Sequence, residues 1–370
     1  MPRQSALVLA AIITFCSSLS ALDWPVGRGD LAGTGATTEQ LPAKLDLIWQ
    51  VDIGGLGFEA APIIAQGTVF VADADGLVLA LDLVTGKEKW RLATGGGFTA
   101  SGAYHSGKVI FGDIEGEVRA LDATTGKSIW QYTIGAEISA GATFFGDNLL
   151  VTSQNGSLYC LNQDTGTLSW KYETGDQLRC AATVADNRTY LGGCDSKLHV
   201  VDLKTGKAAA EPIALFGPTG STPSAIGSKV FVPTRSGEIF AFDNSSTKPL
   251  WQFADRKLAE ELENSVAVKE GLVIVSSRNR QIFALDQETG LVRWRTTLRK
   301  RCDSSPIIAG KDIWLAAADG RLVRLDLNSG KEKWLYEIKG SFLASPSVAD
   351  GKIVAASDRG SIFCFAAKPQ

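Results

Sequence analysis

The sequence predicts an all-β fold: an eight-bladed β-propeller of four-stranded antiparallel blades, its ring closed by an N-terminal strand that completes the C-terminal blade. Three observations carry this. Tryptophan recurs at 49, 90, 130 and 170, then at 251, 294 and 334, in steps of 40 to 43 with one double gap of 81. A fixed period of that size marks an array of repeated units. The 39 glycines divide the chain into short runs rich in Val, Ile, Phe and Ala, the pattern of strands joined by tight turns. Each unit holds four such runs, which is the content of one propeller blade.

The elements follow in order. Residues 1–20, MPRQSALVLAAIITFCSSLS, have an early Arg3, an apolar run and small residues before Ser20. This is the pattern of a secretory signal peptide, cut after Ser20. Cys16 follows Ile13-Thr14-Phe15. That bulky ring is poorly suited to lipid attachment, so none is expected there. Residues 21–43 form an N-terminal arm that contains DWPVGRGDLAGTG. The tripeptide at 28–30 is read as part of this arm rather than as an adhesion motif. Residues 44–370 are the propeller. Lys44–Ile53 reads as a lone fourth strand, and the last unit, ending at residue 370, has only three. Pairing the two closes the ring and removes free sheet edges.

One unit shows the logic. In AYHSGKVIFGDIEGEVRALDATTGKSIW, residues 103–130, the strands a to d are separated by SG, EG and TG turns. ALDATTGKSIW is the hairpin between c and d. Asp122 can accept hydrogen bonds from backbone N–H groups two or three residues on, and Gly126 supplies a positive φ. Trp130 then wedges against the next blade. The docking set is Trp49, Trp90, Trp130, Trp170, Trp251, Trp294 and Trp334. The missing copy is VVDLKTGKAAA, with Ala210 in the tryptophan's place.

These hairpins resemble the tryptophan-docking motif of the PQQ-like (quinoprotein-type) β-propeller repeat family, over roughly residues 44–370. The match is complete at 80–90 and 120–130. It is degraded at Asn162, Ala210 and Thr247. The resemblance implies the fold and leaves two kinds of function open. One is a non-catalytic binding or scaffold propeller, BamB-like in outer-membrane protein assembly. The other is a PQQ-dependent oxidoreductase or other small-ligand propeller. Quinoprotein dehydrogenases resemble one another in an adjacent cysteine pair and in calcium ligands. Here the cysteines after the signal stand apart, at 160, 180, 194, 302 and 364. The reading is therefore a scaffold, with no cofactor expected and PQQ as the alternative.

Other chemistry has little support. The two histidines, His105 and His199, are not spaced as metal ligands or as members of a catalytic triad. The turns at 73–76 and 113–116 carry Asp and Gly but not a calcium-loop spacing. A net charge of −3 gives no field for nucleic acid, and no segment after the signal is long and apolar enough to span a membrane. The expected protein is a periplasmic or secreted monomer with a protein partner in the cell envelope.

The partner surface is expected on the rim formed by the d–a and b–c loops. Its early units carry Glu59, Asp73, Asp75, Asp113, Glu115 and Glu137. Its later units carry Arg179, Arg235, Arg256, Lys257, Arg278, Arg280, Arg299, Lys300 and Arg301. Leu178 beside Arg179 is expected as an exposed contact. The insertion at 254–264 is expected to form a short amphipathic helix through Leu258 and Leu262. Folding about Asp186-Asn187 sets Cys180 almost opposite Cys194, a candidate disulfide for an oxidising compartment.

Overall fold

In a computed structural model that describes residues 23–259 and 262–368, the strands form eight sheets. Blades 1 to 7 cover 63–93, 103–133, 143–173, 183–214, 224–254, 267–297 and 307–337. Blade 8 takes its three inner strands from 347–366 and its outermost strand from Asp46–Asp52. That strand pairs antiparallel with Ser361–Ala366, Trp49 facing Cys364 and Gln50 facing Phe363. The ring is closed by the two ends of the propeller, as the sequence predicts. The expected signal peptide and Cys16 lie outside the described residues.

The repeated hairpin holds one blade to the next. The Asp122 carboxylate accepts from the Thr124 and Thr125 N–H groups at 3.1 and 2.8 Å, and Gly126 has φ +71°. Behind it, Trp130 is 8% exposed and its indole Nε1 donates to Gln163 O of the next blade at 2.9 Å. Its ring lies on Gly166, where a Cβ would come within 2.6 Å of the indole. Trp49, Trp90, Trp251 and Trp294 donate in the same way to Leu83, Ala123, Gln287 and Leu327 carbonyls. The glycine therefore serves the turn and also makes room for the neighbouring indole. Trp334 has no such hairpin ahead of it, because blade 8 is assembled from both chain ends. It packs edge-on against Phe365 at 5.7 Å instead.

Blade 4 is the irregular member. With Ala210 in place of tryptophan, its outer strand shrinks to Ile213–Ala214. Phe216 is left 73% exposed at φ +57°.

The N-terminal arm lies in the central channel. Trp24 bridges to Ile64 of blade 1 and Val26 to Ala103 of blade 2. The carbonyls of Leu31, Ala32, Thr34 and Gly35 accept from the inner strands of blades 4, 5, 6 and 7. Ala36–Thr37 then adds a fifth, parallel strand to blade 7. Gln40 and Arg324 fasten the exit: Arg324 Nη1 donates to the carbonyls of Pro42 and Ala43 at 2.8 and 3.0 Å, and its guanidinium pairs with the buried Asp312. Above the arm, hydroxyl residues just ahead of the inner strands of blades 5 to 7 tie neighbours together. Ala181 N donates to Thr222 Oγ1, Thr222 N to Ser265 Oγ, and Ser265 N to Ser305 Oγ, each at 2.9 to 3.0 Å.

Candidate functional site

Two stacked cavities open on the rim formed by the d–a and b–c loops. The lower, about 240 Å³, is floored by the arm through Gly27, Arg28, Asp30 and Gly33. The upper, about 600 Å³, spreads toward blades 3 to 5 through Glu137, Gln154, Arg179, Cys194 and Arg235. Glu59, Thr99, Ser139, Arg179, Gly220 and Glu263 line both, so they form one funnel.

The structure sorts the basic residues of this rim into three kinds. Arg235, Arg278 and Arg301 belong to a charge network across blades 5 to 7. Glu263 accepts from Arg235 at 3.0 Å and from Arg278 at 2.7 Å, and Asp303 pairs with Arg278 at 3.1 Å and Arg301 at 2.8 Å. These cations are spent on carboxylates of the same rim, with Arg235 and Arg301 still 42% and 52% exposed. Arg179 stands at the funnel mouth, its guanidinium on the neutral Gln177 Oε1 at 2.9 and 3.2 Å. Arg256, Lys257, Arg280 and Lys300 are exposed, and none makes an ion pair with a described residue. Arg299 is exposed too, with Glu337 no closer than 3.8 Å. The outward basic arc is thus Arg256, Lys257, Arg280, Arg299 and Lys300.

Four expectations are corrected. Leu178 is not an exposed contact: it is 0% exposed and packs with Leu150, Leu158 and Leu191, because it closes the core under its loop. Among the described residues of the 254–264 insertion the helical element is a 3-10 turn, Arg256–Leu258, capped by Asp255 accepting from Lys257 N. Leu258 and Leu262 are buried against Phe231 and Val275, so the two leucines anchor the loop and leave Arg256 and Lys257 outward. Cys180 and Cys194 are free thiols. The ladder ends at Thr183–Tyr190, before either cysteine, and Cys180 lies in the core while Cys194 is half-buried on the wall of the upper cavity. The buried Cys180 donates to Gly192 O at 3.3 Å, and burial pushes it up to about 12. Finally, Asp73 and Asp113 are buried and hydrogen-bond their own turns; Asp113 also pairs with Arg119. The acidic side of the rim reduces to Glu59, Asp75, Glu115 and Glu137.

Sequence reasoning missed the acidic partners Glu263 and Asp303, and the arm in the channel. A signal for the first was present. The loops holding both acids recur one repeat apart, as Glu263-Asn264-Ser265 and Asp303-Ser304-Ser305, just before inner strands. His199, on strand c as expected, is buried between Tyr172 (Oη to Nδ1, 3.1 Å) and Asp195 (Oδ2 to Nε2, 2.9 Å).

The fold family raises the question of a quinone with calcium. Among the described residues, no three His, Cys, Asp or Glu side chains converge as a metal site, and the free cysteines are dispersed over the blades. The arm also fills the channel below Arg28. Neither the adjacent cysteine pair nor the calcium-ligand cluster of such enzymes is present among the described residues.

The model for the family described as outer membrane protein assembly factor BamB matches residues 42–141, 114–252 and 235–368. The BamB of Yersinia pestis is 25% identical over 153 residues, 38% of this chain and 39% of that protein. The BamB of Legionella pneumophila is 24% identical over 187 residues, 47% of each. The matched stretches thus span less than half the length of these relatives. Among solved structures, BamB from Moraxella catarrhalis superposes with a TM-score of 0.75 at 19% identity, over 88% of this chain and 99% of that one. A quinohemoprotein alcohol dehydrogenase from Comamonas testosteroni superposes at 0.78 and 16% identity, over 94% of this chain and 82% of that one. These two likenesses show the fold, whereas the family model spans nearly every blade, and on that ground this chain belongs to the outer membrane protein assembly factor BamB family.

Proposed function

We propose that this chain is a non-catalytic extracytoplasmic scaffold, and that it docks through the basic arc of its rim onto an acidic surface of a protein in the outer-membrane assembly apparatus. The observation that carries this is the separation of spent from unspent charge. Arg235, Arg278 and Arg301 are tied to Glu263 and Asp303, which stiffens the loops of blades 5 to 7. Arg256, Lys257, Arg280 and Lys300 are held outward on those loops without carboxylate partners among the described residues. Fixed, unpaired charge on one arc speeds and orients the encounter with a charged partner more than it adds affinity. The family's description as an outer membrane protein assembly factor supports the choice of partner.

The test is a triple reversal, Arg256→Glu, Arg280→Glu and Lys300→Glu, in the full chain. Association with the outer-membrane assembly proteins of the same cell should slow by about tenfold or more, and the wild-type rate should fall steeply with salt. An unchanged rate, or one insensitive to salt, would remove the basic arc from the account.

A further inference from the structure

The funnel floor has a property that docking does not explain. Arg28 reaches up from the arm into the lower cavity. Its Nη2 donates to the carbonyls of Val266 and Pro306 at 2.8 and 3.1 Å. Its Nε and Nη1 are buried and have no acceptor, and the buried hydroxyl of Thr99, which lines the same cavity, has no partner either. No carboxylate of a described residue lies within ion-pair distance of Arg28. Asp30 favours the Arg28 cation through space, but its two oxygens accept from Thr34, one from the backbone N–H and one from the hydroxyl, and neither takes up a free Arg28 donor. Of the other acids in the cavity wall, Glu263 and Asp303 are held by the Arg235–Arg278–Arg301 network, and Glu59 is exposed at the mouth. The second cation of the wall, Arg179, faces only a neutral amide.

Asp30 acts on this buried guanidinium through space but makes no ion-pair contact with it, and buried donors left unmade are costly. Burial brings Arg28 down to about 10, which still leaves it cationic at neutral pH. Such a group in a polar cavity calls for an acceptor that carries negative charge. We infer that the funnel floor is a binding site for one small oxyanion from solution, a carboxylate or an inorganic oxyanion, held on Arg28 and Thr99 with Arg179 guarding the entrance. The cavity of about 240 Å³ admits an anion of that size, and the chain of hydroxyls around it supplies further donors. This site is independent of the docking arc, since Arg28 and Thr99 lie inside the channel.

The experiment titrates the mature chain with acetate and, separately, with sulfate at constant ionic strength, and follows heat and melting temperature. At least one probe should bind saturably at one site per chain, with Kd on the order of millimolar. Arg28→Gln should weaken that binding by about tenfold or more, Arg28→Lys less, and Thr99→Val by a smaller factor. Acetate alone identifies a carboxylate site, sulfate alone an inorganic oxyanion site. If Arg28→Gln fails to fold, Thr99→Val carries the test. Absence of saturable binding to the wild type by either probe, or binding that Arg28→Gln and Thr99→Val both leave unchanged, overturns the inference.

Discussion

Trp130→Ala is the sharpest probe of how this ring coheres. The indole is 8% exposed, lies on Gly166 of the next blade and donates to Gln163 O at 2.9 Å. Truncating a buried Trp costs about 3–5 kcal/mol through lost burial and the cavity left behind. The Gln163 carbonyl loses its donor, which adds about 1 kcal/mol or less where water can reach it. The expected loss is therefore about 4 kcal/mol. Trp170 supplies the internal control. It also lies on the next hairpin's glycine, Gly206, but it is more exposed, and the blade it meets is the irregular one. Trp170→Ala should cost about half as much. Urea unfolding followed by far-UV circular dichroism, with the slope held equal between variants, measures both. A Trp130→Ala loss below about 1 kcal/mol, or a Trp170→Ala loss equal to it, would refute the reasoning that the indole–glycine seam sets blade-to-blade stability.

Three further outcomes follow from the same geometry. Deleting Asp46–Asp52 should lower the melting temperature of the whole transition, because it reopens blade 8; an unchanged melting temperature contradicts closure by this strand. Arg324→Ala should cost about 3 kcal/mol and make the arm susceptible to protease, since it removes the donor to Pro42 and Ala43 and leaves the buried Asp312 with Lys333 and Gln40 alone; an arm that stays protected would show the latch to be unnecessary. Acid should destabilise the hairpins together. The hydroxyls of Thr85, Thr125, Thr205 and Ser329 hold Asp82, Asp122, Asp202 and Asp326 below the usual carboxylate range. Ser245 brings Asp243, and Arg293 brings Asp286, down to about 2. A depressed folded value stabilises above the unfolded value of about 4 and loses that contribution as pH falls toward the folded one. The melting temperature should therefore drop between about pH 4 and pH 2, and a flat profile there would contradict the hairpin account.

The fold was legible because its determinants are local and repeated. Asp122, Gly126 and Trp130 act within one hairpin and its neighbour, so a 40-residue period exposes them. Closure was legible because Trp49 is a lone copy of the last strand at the wrong end of the chain. The site was legible only in part. Charge on a loop can be counted from sequence, but its commitment cannot: Arg278 and Arg280 differ by two positions, and only the first meets Glu263 and Asp303. Leu178 and Leu258 look like loop residues and are buried, because each loop needs an apolar peg to lie down on its blades. The place of the arm was illegible for a different reason. Its hydrogen bonds run through backbone carbonyls to blades far along the chain, and backbone contacts leave no residue-type signature.

The central claim, a scaffold that meets its partner through the basic arc, is tested most directly by site-specific photocrosslinking in the intact cell envelope. Probes go at Arg280 and Lys300 on that rim and at Lys127 on the hairpin rim opposite. The account predicts crosslinks from Arg280 and Lys300 to an identified protein of the outer-membrane assembly apparatus, and none to it from Lys127. Crosslinks to that protein from Lys127 alone, or from no probe at either rim, would contradict it.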